Sequence, residues 1–264
     1  MTSDRRRRRL LITGAEGIIG TVLRERLAER FELRFLTRTP APFESRVADI
    51  SDLDAIAPAF SGIDSVIHLA ASSAVESTWE ELLPANIVGA YNVYEAAARS
   101  DVPQVVFASS NHAVGMYEVD GAPDIYEPGD PRCYDHTVEV RPDSLYGVSK
   151  AFGEALGRYY TERRGLRVIC LRIGSIQPND DPDRPARLEA APEKPLTPEQ
   201  ERARTRALWL SHADCARLVT AAVEADAVRF GIVYGISDVP GRFFDLEYAR
   251  KLIGYVPRDR PPDV

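Results

Sequence analysis

Cysteine is scarce in this 264-residue sequence, and long apolar runs are absent. The three cysteines, Cys133, Cys170 and Cys215, form neither a CxxC pair nor a spacing typical of metal ligands. They are therefore expected to be free thiols in a reducing cytoplasm, and no bound metal is expected. Since no stretch approaches the roughly 18 apolar residues that a bilayer span needs, no membrane association is expected either.

An excess of positive charge is also lacking. Lys and Arg number 33 against 40 Asp and Glu, which gives a formal net charge of −7. The run of arginines at 5–9 is followed by an apolar stretch that is too short for an export signal, so a cytoplasmic location is expected. Because a nucleic-acid backbone repels an acidic protein, no nucleic-acid partner is expected.

Short apolar runs alternate with amphipathic stretches through the first two thirds of the chain. The runs at 10–13, 32–37, 64–70, 104–109 and 167–173 predict strands, of which 10–13, 64–70 and 104–109 are expected to be buried. The stretches at 18–30, 52–60, 79–99 and 144–164 have the apolar spacing of helices. Strands that alternate with helices predict an α/β fold with a doubly wound parallel sheet.

The composition changes after Ser175. Six prolines lie between 178 and 205, so this segment is predicted to be a long mobile excursion with a short helix from Pro198. A helix at 212–225, a strand at 231–236 and a helix at 245–253 are predicted to follow. We therefore expect a main unit at 8–176 and, at 177–264, a small C-terminal region that packs on the same domain and covers the substrate.

A glycine-rich turn connects the first predicted strand to the first predicted helix. Gly14, Gly17 and Gly20 have GxxGxxG spacing, and Ile18 opens the helix. Glycines at such a turn allow the backbone to approach a pyrophosphate, and the helix N-terminus adds N–H donors and a positive dipole end. The turn therefore predicts a dinucleotide site, although glycine turns also occur for structural reasons alone.

The end of the second predicted strand bears on the choice of dinucleotide. A carboxylate there would accept a hydrogen bond from the ribose 2′-OH of NAD, but this strand ends with Thr37 and Arg38. Arg38 is either a ligand of the 2′-phosphate of NADP or a surface charge. Asp49, beside Ile50, is either an adenine contact or an acid at a helix N-terminus. Leu69, Ala70 and Ala71 end a predicted strand with mainly small side chains, as expected where a dinucleotide crosses the sheet edge.

Tyr146 and Lys150 form a YxxxK pair on a predicted helix. Residues four apart share one helix face, so the phenol and the ammonium converge. The free phenol pKa of about 10 makes tyrosine a poor base at neutral pH. A nearby lysine, together with an oxidised nicotinamide, favours the phenolate. Ser110, at the end of a buried strand, is placed to hydrogen-bond the reacting oxygen.

The glycine turn, the strand-end serines and the YxxxK pair together resemble the short-chain dehydrogenase/reductase superfamily of the extended epimerase/dehydratase type. Within it, four segments are similar to the uronate dehydrogenases: FASSNHAVG at 107–115, RPDSLYGVSK at 141–150, RIGS at 172–175 and WLSH at 209–212. The resemblance covers roughly 8–176 and 204–257. It implies a Rossmann-type fold, an NAD(P) cofactor and a homo-oligomer.

The resemblance also implies an activity, which is oxidation of a hexuronic acid such as glucuronate or galacturonate at C1 to an aldarolactone. Tyr146 would then remove the anomeric hydroxyl proton, Lys150 would lower the tyrosine pKa and hold the ribose, and Ser110 would orient the reacting oxygen. The residues implied to bind the sugar acid are Asn111, His112, Ser175 and Arg204, with Arg206 as a substitute for the carboxylate-binding arginine.

Two departures from the resembled pattern leave alternatives open. The NAD-selecting aspartate is replaced by Thr37, so the resemblance implies NAD whereas Thr37 and Arg38 suggest NADP. The proline-rich segment is longer than expected where the substrate should be covered. One alternative to the dehydrogenase is a nucleotide-sugar epimerase or dehydratase, which shares the fold and the tyrosine but needs a large cap. A further alternative is a dinucleotide-sensing protein without catalysis.

Some candidate side chains also have ordinary structural explanations. His112 could be a loop histidine, and Arg204 lies in a charge-rich stretch where arginines are often solvated. Asn86 could bond the backbone rather than a ligand. His68, inside a predicted buried strand, is expected to be a core histidine with a satisfied ring.

Overall fold

Parallel strands form one sheet in the computed structural model, which describes residues 6–127 and 129–262. The strands are β1 (Arg9–Thr13), β2 (Glu32–Thr37), β3 (Arg46–Val47), β4 (Ser65–His68), β5 (Gln104–Ser110), β6 (Arg167–Ile173) and β7 (Phe230–Gly235). Across the sheet they lie in the order β3–β2–β1–β4–β5–β6–β7, so the winding reverses between β1 and β4. This is the doubly wound α/β fold expected from the sequence.

Helices connect the strands and cover both faces of the sheet. No helix in the described ranges has the length and apolar character to cross a bilayer. Short 3-10 turns occupy Ala57–Phe60, Asn111–Val114 and Asp124–Tyr126. The α-helices are α1 (Ile18–Leu27), α2 (Leu53–Ile56), α3 (Trp79–Leu82), α4 (Ala90–Arg99), α5 (Met116–Gly121), α6 (Leu145–Arg164), α7 (Pro198–Leu208), α8 (His212–Glu224) and α9 (Glu247–Ile253).

The core lies in two layers because neighbouring strand residues point to opposite faces. In β1, Leu10 and Ile12 pack into the cluster that includes α1 and α8. Leu11, between them, packs into the other cluster, which includes Tyr94 of α4 and Tyr160 of α6. Strands buried on both faces explain why these segments read as continuous apolar runs.

The predicted helix at 79–99 is helical throughout but changes type. A π-helical turn at Leu83–Gly89 separates α3 from α4. Pro84 lies in this turn, and proline has no N–H for the regular helical bond, so the turn widens there. Two other predicted helices are shorter than expected, since α1 ends at Leu27 and the segment at 52–60 divides into α2 and a 3-10 turn.

The C-terminal region does more than cover the sheet. β7 pairs with β6 along its whole length, and α8 packs against α1. The predicted helix from Pro198 is present as α7, and Thr197 and Gln200 form a capping box at its start. Thr205 donates to the main-chain oxygen of Arg184 at 2.7 Å, which ties the proline-rich segment to α7.

The N-terminal arginines lead into β1 and pair with surface acids. Arg6 contacts Asp64 at 2.8 Å and Arg9 contacts Glu32 at 2.9 Å, with all four side chains partly exposed. Arg5 of the same run lies outside the described residues. Exposed ion pairs of this kind contribute about 0–1 kcal/mol to the free energy of unfolding. These arginines therefore add little to stability at the start of β1.

Candidate active site

A cavity of about 580 Å³ opens at the carboxyl ends of the strands, beside the point where the winding reverses. Open α/β sheets bind their ligands at this place. The wall comes from the glycine turn, from the ends of β4, β5 and β6, and from α6 and α7. The predicted site residues in this wall are Gly14, Gly17, Ile18, Gly20, Leu69, Ala70, Ala71, Ser110, Asn111, His112, Tyr146, Lys150, Ser175 and Arg204.

The glycine turn fits a dinucleotide pyrophosphate. Gly14 has φ +72°, and a Cβ there would lie 2.7 Å from the main-chain nitrogen of Ala70. Gly17 is the N-cap of α1, and the first turn of that helix contains no acidic residue. The N–H groups and the positive end of α1 are therefore available to an anion in the cavity.

Four predicted cofactor residues, Thr37, Arg38, Asp49 and Ile50, do not line this cavity. The Thr37 hydroxyl is buried and lies 2.8 Å from the hydroxyl of Ser45, whereas Arg38 is exposed. Asp49 accepts from the main-chain nitrogen and the hydroxyl of Ser51, both at 2.8 Å. These bonds, together with the charge of Arg38, lower the Asp49 pKa.

The N-terminus of α2, which follows Asp49, is capped by Asp52. The Asp52 side chain accepts from the main-chain nitrogen of Ala55. Asp49 therefore lies three residues before the cap, and its carboxylate is held by Ser51. Ile50 is buried, and its main-chain oxygen accepts from Asn92 at 2.9 Å. Contact of Asp49 and Ile50 with adenine stays a prediction.

Tyr146, Lys150 and Ser110 converge in the cavity. Ser144 caps the N-terminus of α6, so Tyr146 lies in the first turn and Lys150 one turn further along. The Lys150 Nζ lies 5.4 Å from the centre of the Tyr146 ring and donates to the main-chain oxygen of Ala108 at 2.8 Å. Ser110, at the end of β5, lines the same cavity.

Burial controls the protonation of both α6 side chains. It raises the pKa of Tyr146 to about 12, although Ser110 acts in the opposite direction. Burial also lowers the pKa of Lys150 to about 8. The protein alone therefore keeps the phenol protonated at neutral pH, and Lys150 retains most of its charge. A further positive charge in the cavity would favour the phenolate.

Asn111 and His112 follow Ser110 at the cavity wall. The Asn111 Nδ2 is buried and has no hydrogen-bond partner. The His112 Nδ1 lies 2.7 Å from the Asp143 Oδ2, and the Asp143 side chain is fully buried. Asp143 therefore orients the imidazole, with its ring centre 5.7 Å from that of Tyr146. An unpaired amide donor and an oriented imidazole are suited to binding hydroxyl groups.

Ser175 and Arg204 close the opposite side of the cavity. Ser175 pairs with Trp209 in an isolated β-bridge, which brings together two of the motif segments, and its hydroxyl accepts from Gln177 at 2.7 Å. Arg204 projects from α7, but its Nε already donates to a buried carboxylate of Glu118 at 2.8 Å. Arg206, the substitute candidate, does not line the cavity and faces Asp183 instead.

His68 and Asn86 have structural roles. The His68 Nδ1 is 2.8 Å from the Thr13 hydroxyl, and burial lowers the His68 pKa to about 3, so the ring is neutral. This confirms a core histidine. Asn86 bonds both main-chain groups of Ser72 and donates to the Ser149 hydroxyl at 2.9 Å. Asn86 therefore holds the loop after β4 against α6.

Sequence reasoning missed Asp143, Glu118 and Glu154. Asp143 lies inside the quoted RPDSLY segment, so a search for an acid near His112 would have found it. Glu154 sits one turn after Lys150 and accepts from Ser109 at 2.6 Å and from Arg172 at 2.9 and 2.8 Å. The sequence carries no local signal for Glu118, because its partner Arg204 is 86 positions away.

Comparison with known proteins identifies a family and relatives that are named as sugar dehydrogenases. The profile of the NAD dependent epimerase/dehydratase family matches residues 10–187. The chain is 37% identical over 261 residues to an NAD-dependent glucose-6-phosphate dehydrogenase of Haloferax volcanii, covering 95% of this chain and 93% of that protein. It is 38% identical over 260 residues to an L-arabinose 1-dehydrogenase (NAD(P)(+)) of the same organism, covering 97% and 98%.

The fold is similar to that of a solved relative. The crystal structure of uronate dehydrogenase from Agrobacterium tumefaciens superposes with a TM-score of 0.78 at 34% identity. The match covers 96% of this chain and 85% of that structure. The similarity therefore extends over both the sheet and the C-terminal region.

Proposed function

The chain belongs to the NAD dependent epimerase/dehydratase family, and from this premise we propose that it oxidises the anomeric carbon of a monosaccharide with NAD as the hydride acceptor. It is an NAD(P)-dependent dehydrogenase of the extended short-chain type. In this proposal 8–176 binds the cofactor and carries the catalytic pair, and the α7 part of 177–264 completes the sugar side of the cavity.

The convergence of Tyr146, Ser110 and Lys150 beside the glycine turn carries the proposal. One group is a proton acceptor, one is a hydroxyl that can orient an oxygen, and one is a cation 5.4 Å from the phenol ring. All three lie in the same cavity as the open N-terminus of α1. A sugar carbon can therefore lie next to both a base and the dinucleotide site.

The residues have distinct roles in the reaction. Oxidation breaks the O1–H and C1–H bonds and forms a C1=O double bond. The Tyr146 phenolate takes the proton from O1, and Ser110 donates a hydrogen bond to the same oxygen. Lys150 stabilises the phenolate and holds the ribose. When bound, NAD supplies the acceptor for the hydride that leaves C1.

The substrate is a free sugar or sugar acid with an accessible ring hemiacetal. Oxidation of such a ring at C1 gives a lactone, which is an aldarolactone when the substrate is a glucuronate or galacturonate. Asn111, His112 and Ser175 bind the hydroxyl groups. The Asn111 amide supports this role because it is a buried donor that no protein group satisfies.

NAD is the cofactor, and NADP is also accepted in this proposal. The strand end that would carry an NAD-selecting carboxylate has Thr37 instead. Arg38 beside it is exposed and can meet a 2′-phosphate.

A direct test mixes the purified protein and NAD with L-arabinose, D-glucose, D-glucuronate, D-galacturonate or glucose 6-phosphate. The absorbance of NADH gives the rate, and NMR identifies the first sugar product. We expect NADH to form with at least one sugar, together with a lactone in equal amount. No NADH with any of these sugars would contradict the proposal. Conversion of a UDP-sugar without net NADH, in a parallel mixture, would contradict it as well.

A further inference from the structure

The Glu118–Arg204 pair bears on the charge of the substrate. The resemblance implied that Arg204 would bind a substrate carboxylate. In the structure, the Arg204 Nε donates to the Glu118 Oε1 at 2.8 Å, and its Nη2 is 3.4 Å from the Glu118 Oε2. The guanidinium fork that would receive a sugar carboxylate is therefore already held by a carboxylate of the protein.

The pair is buried and has further partners. The exposed fraction of the side chain is 7% for Arg204 and 0% for Glu118. Tyr126 donates its hydroxyl to the Glu118 Oε1 at 2.8 Å, which helps to stabilise the carboxylate. The Arg204 Nη1 donates to the main-chain oxygens of Ala186 and Arg187, at 3.5 and 3.2 Å. Arg204 thus joins α5 to the proline-rich segment.

The other basic groups in the cavity wall do not offer a free cation for a sugar anion. Among the described lining residues, Lys150, His112 and Arg204 are the ones that can carry positive charge. His112 is bonded to buried Asp143, and Lys150 is placed at the reacting end beside Tyr146. A carboxylate or phosphate next to Arg204 would face the negative charge of Glu118.

We propose that Glu118 is a specificity-determining residue that neutralises Arg204, and that the substrate is an uncharged aldose rather than a uronate or a sugar phosphate. This inference rests on the proposed oxidation of a sugar at C1. The groups left for an aldose are the unpaired Asn111 amide and the hydroxyls of Ser110 and Ser175, which match sugar hydroxyls.

The test compares kcat/KM with NAD for L-arabinose, D-glucuronate and glucose 6-phosphate in the wild type and in Glu118→Gln. The wild type should prefer arabinose over both anions by about tenfold or more, because like charges at a site are strongly disfavoured. Glu118→Gln frees the Arg204 charge, so the preference for arabinose over glucuronate should shrink by about tenfold or more. Asp120→Asn is the matched control, because Asp120 lies on α5 like Glu118 but pairs with Arg141 at the surface. This variant should keep the wild-type preference.

Two outcomes overturn the inference. One is a wild type that prefers glucuronate or glucose 6-phosphate. The other is an unchanged preference in folded Glu118→Gln. If that variant does not fold, Glu118→Leu combined with Arg204→Met removes both charges, and a retained preference for arabinose is expected. A preference for glucuronate in the double variant would contradict the proposal.

Measurements of sugar binding distinguish a failure of this inference from a failure of the proposed reaction. If none of the sugars is oxidised, the proposed oxidation fails, and calorimetry with the NAD-loaded wild type then decides the charge class. Tighter binding of arabinose than of glucuronate supports the role of Glu118. Tighter binding of glucuronate, or binding of neither sugar, overturns it.

Discussion

The Lys150 Nζ lies 5.4 Å from the centre of the Tyr146 ring, one turn further along α6. Burial raises the pKa of Tyr146 to about 12 and lowers that of Lys150 to about 8. The phenol therefore depends on nearby positive charge to lose its proton near neutral pH. The pH dependence of the reaction should therefore report on this pair.

Oxidation should accelerate as the pH rises, because the reaction needs the deprotonated form of Tyr146. A nearby cation favours the phenolate, so Lys150→Met should move the rising limb of the kcat/KM profile up by about one pH unit or more. Lys251→Met, on an exposed part of α9, is the control and should leave the profile unchanged. A profile that is the same for Lys150→Met and the wild type would remove Lys150 from this role.

Asn111→Ala should reduce sugar oxidation more than it reduces stability. Its buried Nδ2 has no protein partner to lose, whereas a bound hydroxyl would lose a donor, so kcat/KM should fall about 10- to 100-fold. The measurement combines steady-state kinetics with urea unfolding.

Gln104→Ala provides the contrast for Asn111→Ala. The Gln104 amide donates to the main-chain oxygen of Ala222 at 2.9 Å and accepts from Ser65 at 2.7 Å, far from the cavity. This variant should lose about 1–3 kcal/mol of unfolding free energy with an unchanged KM. An Asn111→Ala enzyme with normal kcat/KM would show that the amide does not touch the sugar.

The second and third glycines of the turn should respond differently to alanine. A Cβ at Gly20 would lie 2.6 Å from the main-chain carbon of Ala15, so Gly20→Ala should lower both the Tm and the NAD affinity. A Cβ at Gly17 meets the main-chain oxygen of Gly14 only at 3.6 Å, an ordinary contact. Gly17→Ala should therefore keep its Tm.

The NAD affinity of Gly17→Ala is the informative value. Gly17 lines the cavity at the start of α1, so an added methyl group should hinder close approach of a pyrophosphate, and NAD should bind about tenfold more weakly or worse. Thermal unfolding and a fluorescence titration with NADH measure the two effects. Wild-type affinity in Gly17→Ala would argue against the pyrophosphate position.

Arg38→Ala should weaken NADP binding by about tenfold and leave NAD binding unchanged, since only NADP carries a 2′-phosphate. Titration of the protein with both dinucleotides checks this. Equal changes for the two cofactors, or no change for either, would mean that Arg38 is a surface charge.

Local patterns made much of the fold and the catalytic pair predictable. The spacing of Tyr146 and Lys150 places both on one helix face whatever the remaining chain does. The predicted strands at 32–37 and 167–173 coincide with β2 and β6. The π-helical turn at Pro84 and the pairing of β7 with β6 were not visible, since the first depends on local hydrogen bonding and the second on contacts distant in sequence.

The charge environment of the sugar side was less predictable. Glu118 belongs to the segment GMYEVDG, where an acid is expected to be solvent-exposed. In the structure it is buried beside Arg204 of α7. The expected role of Arg204 as a free carboxylate ligand changes once that partner is known. Whether a charged side chain is free or paired depends on contacts between residues that are distant in sequence, and composition does not reveal those contacts.

The central claim is that Tyr146 removes the proton from O1 of the sugar. The most direct measurement is NADH formation by wild type and Tyr146→Phe with a sugar that the wild type oxidises, alongside NAD affinity for both proteins. Tyr146→Phe retains the ring but lacks the hydroxyl, so we expect at least a hundredfold loss of kcat with nearly unchanged NAD binding, on the order of general-base contributions. Full turnover by Tyr146→Phe would contradict the account.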